Sequence, residues 1–284
     1  MAIGDVSLTS AMRSNLVSLQ STEALLGRTQ ERLATGKKVN SAIDNPTNFF
    51  AARAHTQRAD LLNGLKDNIG EAIQTVKASD SGVKAINSTI EALRGIVSQA
   101  RSAQTSTTSA TDLAGLTTQY NELVRQLNNT AEDSGYKGVN FLTSGALAVN
   151  FNEQASTKLQ MQGFNGSASG LAISGGTQTG SGTLTSAQLT GGTALDGIET
   201  TLNAALGKLR TESAGLASNL SILTTRQQFI TDMVNTLVDG AGKLTNADTN
   251  EEGANMLLLQ TRQQLGVTAL SLSAQAAQSV LRLF

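Results

Sequence analysis

The sequence predicts a mainly α fold: an elongated antiparallel helical bundle or coiled coil whose N- and C-terminal helices pair, with a small β-hairpin region in the middle of the chain. Three observations predict it. Leu195, Leu202, Leu209, Leu216, Leu223, Ile230, Leu237 and Leu244 recur at every seventh position. On a helix of about 3.6 residues per turn such a repeat needs a second helix to cover it. Far upstream, Leu62, Ile69, Val76, Val83, Ile90 and Val97 form a matching column, and Leu65, Ala72, Ile86, Leu93 and Ala100 form another, broken by Ser79. Composition is the third observation: 284 residues with 3% aromatics, no tryptophan and one proline leave a thin core and little to interrupt long helices.

Taken in order, the first 35 residues carry Met12, Leu19, Leu26 and Leu33 at seven-residue spacing, with Leu8, Leu16 and Leu25 beside them. This is an amphipathic helix that Gly36 ends. Lys37 to Asn45 is polar connector. Asn45 then suits a helix cap and Pro46 the first helical position, where a missing N–H costs nothing. The long second helix, roughly 80 Å from Ala51 to Ala103 at about 1.5 Å per residue, fades in the serine and threonine tract 102–111. Ser109 with Asp112 resembles a capping pair for a third helix. Its columns are Leu113, Tyr120 and Leu127, then Leu116, Leu123 and Thr130, and Gly135 marks its stop.

From Tyr136 to Thr193 the period changes from seven to two. Leu147, Val149 and Phe151 alternate with small or polar residues, as do Leu159 and Met161 after a polar loop, which predicts a hairpin. Between Gly163 and Gly192 glycine, serine and threonine dominate, and only short strands at Leu171–Ile173 and Thr183–Leu184 are expected. After the long ladder, Asp239-Gly-Ala-Gly242 is expected to loosen the helix, 246–250 to form a loop, and Asp248 with Glu251 to cap the last helix. That helix holds Leu258, Leu265, Ala269, Leu272, Ala276, Val280 and Leu283 at three- and four-residue spacing. Past its first turn only Arg262 and Arg282 are charged, so it is expected to bury more than one face.

These features divide the chain into a discontinuous inner domain of terminal helices (1–44 and 246–284), a central helical domain with the hairpin (45–164 and 194–245), and a short Gly/Ser/Thr-rich outer tract (165–193). Chemistry is not indicated. His55, the single histidine, has no cysteine partners and reads as a seam-edge residue, not a metal ligand. Adjacent acids such as Glu132–Asp133 and Glu251–Glu252 point about 100° apart on a helix and fit helix-end solvation. The Gly175–Gly180 run lacks the Lys-Ser or Lys-Thr of a phosphate loop. No catalytic, cofactor or metal site is expected. A net charge of −1 without a dense basic run argues against nucleic acid. No long apolar run suggests a membrane span, and residues 1–19 lack the form of a cleavable signal peptide.

Two amphipathic ends, neither absorbed by the central seams, are expected to pair with each other and then with other copies of the chain. Head-to-tail contacts that do not close into a ring build filaments. The residues proposed to drive polymerisation are Met12, Leu16, Leu19, Leu26, Leu33, Leu258, Leu265, Leu272, Val280, Leu283 and Phe284. Gly36, Asn40, Asp44, Asn45 and Pro46 form the inter-domain connector.

Four segments carry a family resemblance. Leu33-Ala-Thr-Gly-Lys-Lys-Val-Asn-Ser-Ala-Ile-Asp-Asn45 resembles the connector between inner and outer helical domains of bacterial flagellins. Asp133-Ser-Gly-Tyr-Lys-Gly-Val-Asn-Phe-Leu142 is similar to the turn and strand after their third helix. Gln263-Gln-Leu-Gly266 and Gln278-Ser-Val-Leu-Arg-Leu-Phe284 look like their C-terminal signature. The resemblance implies a subunit of the flagellar filament, secreted to the cell exterior without a cleavable signal, with itself as principal partner. It also implies an export chaperone that holds the C-terminal helix, the export apparatus, and filament cap and junction proteins. Asn45-Pro46 and Phe49-Phe50 suggest an α-proteobacterial subgroup, and the short outer tract a smooth filament. The competing expectations are the related hook–filament junction protein and a secreted coiled-coil binding module.

Overall fold

In the computed structural model the described residues are 10–105, 110–173, 184–185, 189 and 191–281. They form α1 (Ser10–Thr35), α2 (Pro46–Thr105), α3 (Ala110–Asp133), β1 (Ala146–Asn150), β2 (Lys158–Gln162), α4 (Gly192–Thr245) and α5 (Thr249–Leu281). The chain packs as two compact units. One combines residues up to Ala59 with those from Asn235 onward, and the other is Asp60–Val234.

In the second unit the seven-residue columns are the core. Leu62, Ile69, Val76, Val83, Ile90 and Val97 of α2 are buried, as are Leu195, Leu202, Leu209, Leu216, Leu223 and Ile230 of α4. Each contributes about 1.5–3 kcal/mol once fully buried. The helices run antiparallel: Arg101 near the end of α2 donates to Asp196 and Glu199 at the start of α4, while Gly70 of α2 lies beside Gln227. Ser79, the break in the second column, is fully buried. Its hydroxyl donates to the Thr75 carbonyl at 3.1 Å, so the polar atom enters the core already bonded.

α3 adds Tyr120, Val124, Leu127 and Ala131 to this core. Its end comes so close to α2 that a Cβ on Gly82 would stand 2.1 Å from Ser134 Oγ. Beyond it, Lys137 and Gly138 both take positive φ, 48° and 80°, in a tight turn closed by Tyr136 and Val139. The expected hairpin follows, with Leu147 opposite Met161 and Val149 opposite Leu159. Val149 and Met161 point into the core, and the Arg226 guanidinium lies 5.1 Å over the Phe151 ring.

Two expectations need correction. Leu171–Ile173 is not a strand: the Leu171 and Ile173 amides donate back to Ser167 and Ala168 in consecutive turns, seeded by the Asn165 carboxamide accepting from Ser167 N. Local side-chain bonding outcompetes extended pairing here. Nor does Asp239–Gly242 loosen α4, which continues to Thr245. Helical glycine costs only about 1 kcal/mol, and burial of Leu237 and Ala241 holds the helix across it. Ser109 and Thr183 lie outside the described residues.

The described part of the Gly/Ser/Thr-rich tract is tied inward. Leu171, Ile173, Leu184 and Leu189 are buried. The Asn121 side chain brackets Leu184, donating to its carbonyl at 2.9 Å and accepting from its amide at 2.6 Å.

The α2–α3 approach is testable by paired substitutions. Gly82→Ala should lower the unfolding free energy even though alanine favours a helix by about 1 kcal/mol, because Ser134 must move. Gly95→Ala, with nothing within 4 Å of the added carbon, should raise it by about 1 kcal/mol. Urea unfolding followed by circular dichroism measures both.

Candidate assembly surface

In the first unit two connectors lie side by side. α1 ends at Gly36, whose φ of 67° favours glycine. The chain then crosses to the α4–α5 joint, where the Thr245 carbonyl accepts from the Lys38 amide at 2.7 Å and the Val39 amide at 3.3 Å, and the Ala247 amide donates to Gly36 O at 3.0 Å. Asn40 Nδ2 donates to Thr35 Oγ1. Asp44 Oδ2 accepts from the Asn40 amide, the Ser41 amide and the Ser41 hydroxyl. These bonds, the Ser41 and Asn40 amides foremost, hold the Asp44 carboxyl below its ordinary range. Asn45 Oδ1 caps the next helix through Asn48 N, with Pro46 at the first helical position as expected.

The terminal helices α1 and α5 are antiparallel. Arg32 in the last turn of α1 meets Glu252 in the first turn of α5 at 2.9 Å, the Glu252 side chain being 9% exposed. Each charge also suits the helix end that carries it. Asp248 Oδ1 accepts from the Asn250 and Glu251 amides, completing the start of α5. Further along, a Cβ on Gly266 would stand 2.7 Å from Leu19 Cδ1, so glycine provides the notch into which that leucine packs.

The proposed polymerisation residues fall into two sets. Met12 is buried, and Leu16, Leu19, Leu26 and Leu33 are half-buried. Leu258, Leu265 and Leu272 are 52%, 64% and 67% exposed. Spaced by seven, these three form a stripe on a flank of α5 that α1 does not cover. Glu252 and Leu259 are buried, and Met256, Gln263, Gly266 and Leu270 half-buried, on another stripe. A third flank presents Gln264, Ser271 and Gln275, all exposed and uncharged. The Val280 side chain, Leu283 and Phe284 lie outside the described structure.

Sequence reasoning named Leu25 beside the α1 column without placing it in the polymerisation set, and it missed other exposed apolar residues: Val17 on α1, Leu257 and Val267 on α5, and Ile43 in the connector. Val17, Leu257 and Val267 lie off the stripes followed along the two helices. Ile43 stands alone in a polar segment. Among the described residues no group of three or more His, Cys, Asp or Glu is placed to hold a metal ion, and no helix is long and apolar enough to cross a membrane.

Comparison with known proteins places this surface in context. The model of the bacterial flagellin N-terminal helical region matches residues 6–146, and that of the C-terminal helical region matches residues 199–284. Flagellin FljM of Caulobacter vibrioides is 29% identical over 286 residues, covering 100% of both chains. A flagellin of Brucella melitensis is 28% identical over 277 residues, covering 95% of each. The crystal structure of Bacillus cereus flagellin aligns at 19% identity with a TM-score of 0.46, over 57% of this chain and 88% of that one.

The connector carries a pH dependence of definite sign. Because its folded pKa is depressed, the Asp44 contribution is present above the unfolded value of about 3.9. It is lost as pH falls through the lower folded value. Amide chemical shifts of Asn40 and Ser41 should therefore titrate with a midpoint below about 3.9, and Asp44→Asn should remove the step.

Proposed function

This chain belongs to the bacterial flagellin family, and from that premise we propose that the uncovered faces of its terminal helices are the surfaces on which one subunit recognises the next. The protein is a structural subunit that polymerises into the flagellar filament. The observation supporting the assignment of the surface is the Leu258–Leu265–Leu272 stripe, more than half exposed in the single chain on a helix whose one charge between Glu252 and Leu281 is Arg262. Three leucines covered on assembly would each contribute about 1.5–3 kcal/mol.

The two sets of residues then have different roles. Met12, Leu19, Leu26 and Leu33 hold α1 to α5 within a subunit, and the α5 stripe meets other subunits. The family resemblance implies a tube through which unfolded subunits pass, and the flank that follows exposed Leu257, with Gln264, Ser271 and Gln275, is polar and suited to its wall, since it offers no charge to retain them. Before export the stripe needs a cover, because an apolar surface of this kind self-associates. An export chaperone that takes α5 as a helix in a groove fits that need. The connector of Gly36, Asn40, Asp44, Asn45 and Pro46 sets the path between the terminal and central helices.

Leu265→Asp and Leu272→Asp each place a carboxylate where the next subunit must pack, and an unpaired buried charge costs several kcal/mol. Both variants should keep the helical circular dichroism and melting of the native monomer and fail to grow filaments under the electron microscope after seeding. Normal filaments from both would overturn the assignment of this stripe.

A further inference from the structure

We propose that Ile43 of one subunit inserts into the groove between the start of α2 and the end of α4 of a second copy of this chain. The inference deepens the assembly reading above and rests on it. Ile43 is 95% exposed, far more than Leu272 or any other exposed large apolar residue described. It is also held in place. The Asp44 carboxylate ties down Asn40 and Ser41 immediately before it, and the Asn45 cap starts α2 immediately after. A large aliphatic side chain at the apex of a constrained turn loses little conformational freedom when it docks.

The same unit contains a receptor for it. A groove of about 500 Å³ is lined by Val39, Phe49, Ala52, Val238 and Ala241, with Lys37 and Arg53 among its polar members. Ile43 contributes nothing to that lining, and its exposure shows that it does not enter its own groove. Phe49 is buttressed by an edge-on contact with Phe50, ring centres 5.5 Å apart. Val238, 53% exposed, forms a wall that nothing in the single chain covers.

Two further features favour a second copy as the occupant. The carboxylate of Asp44 adjoins Ile43, and Lys37 and Arg53 adjoin the groove, so an entering turn brings an acid toward a basic rim. An apolar knob and a pocket at different places on one molecule allow a head-to-tail contact, which builds an open filament when its rotation does not close a ring. That is the type of contact an open filament needs. It is also continuous in sequence with α1 and α5, whose outer stripes serve the same assembly.

The absence of cysteine makes a clean test possible. Subunits carrying Ile43→Cys are copolymerised with subunits carrying Val238→Cys, the filaments are mildly oxidised, and the products are separated on a non-reducing denaturing gel. A covalent dimer is expected in mixed filaments and absent from filaments of either variant alone. The double variant should give a ladder of linked subunits after assembly. Well-formed mixed filaments without the dimer, or an internal disulfide in the unassembled double variant, would overturn the inference.

Ile43→Ser gives an independent readout. At so exposed a position it should leave the monomer's melting unchanged, while raising the critical concentration for elongation about tenfold or more, the loss expected when one aliphatic side chain goes unburied. An unchanged critical concentration would count against the docking. Failure of the unmodified chain to build filaments would instead remove the assembly reading itself.

Discussion

One helix lying along another covers one stripe of it, and α5 has apolar side chains on more than one stripe. This constraint governs the terminal unit. α1 covers the stripe running from Glu252 through Leu259 to Gly266, and its register is set by the Arg32–Glu252 pair at one end and the Leu19–Gly266 notch further along. Leu258, Leu265 and Leu272 lie too far round the helix for the same neighbour to reach. No rotation of α5 solves the problem, since turning those leucines inward would expose Leu259 and bring Thr261 and Thr268 toward α1. Those leucines stay more than half exposed in the single chain, an area that another subunit can remove from water.

The central unit obeys the same rule with the opposite outcome. There α2 and α4 turn their columns toward each other, α3 and the hairpin close the sides, and the buried tract residues Leu171, Ile173, Leu184 and Leu189 fill what remains. Even the column's polar break is resolved internally, through the Ser79 hydroxyl and the Thr75 carbonyl. The division of labour follows from where each chain segment finds its cover.

Much of this was legible in the sequence because both periods were strong. Eight aliphatic residues at seven-residue intervals over 195–244 specify a long helix with one buried side. The alternation of Leu147, Val149, Leu159 and Met161 specifies a hairpin and the face on which these residues lie. Turn chemistry at Gly36, Asn45–Pro46 and Asp248 was equally readable, since each residue type meets a local backbone need. Leu171–Ile173 was not, because a three-residue apolar run has no period and the Asn165 side chain decided the outcome. The helix through Gly240 and Gly242 was missed because its support comes from packing of Leu237 and Ala241, which outweighs local propensity. The pairing of the terminal helices was expected from their stripes, but its residue-level register was not. Arg32 and Glu252 are separated by 220 positions, and periodicity identified the apolar stripes of α5 without telling which one α1 takes.

Ile43 shows a different limit. Its neighbours are polar, and by pattern it is one aliphatic residue in a loop. Only the fold reveals that the loop is braced on both sides, so that the isoleucine is presented instead of folded away. Exposure of a single apolar residue is ordinary on a protein surface. Exposure on a fixed turn, beside an acid, in a unit that also carries an apolar groove with a basic rim, is a matched pair. In a head-to-tail arrangement, a knob and a groove at different places leave one of them open at each end of the row of subunits. Where the rotation between neighbours does not close a ring, growth by that contact continues, which is the property that distinguishes a filament subunit from a closed oligomer.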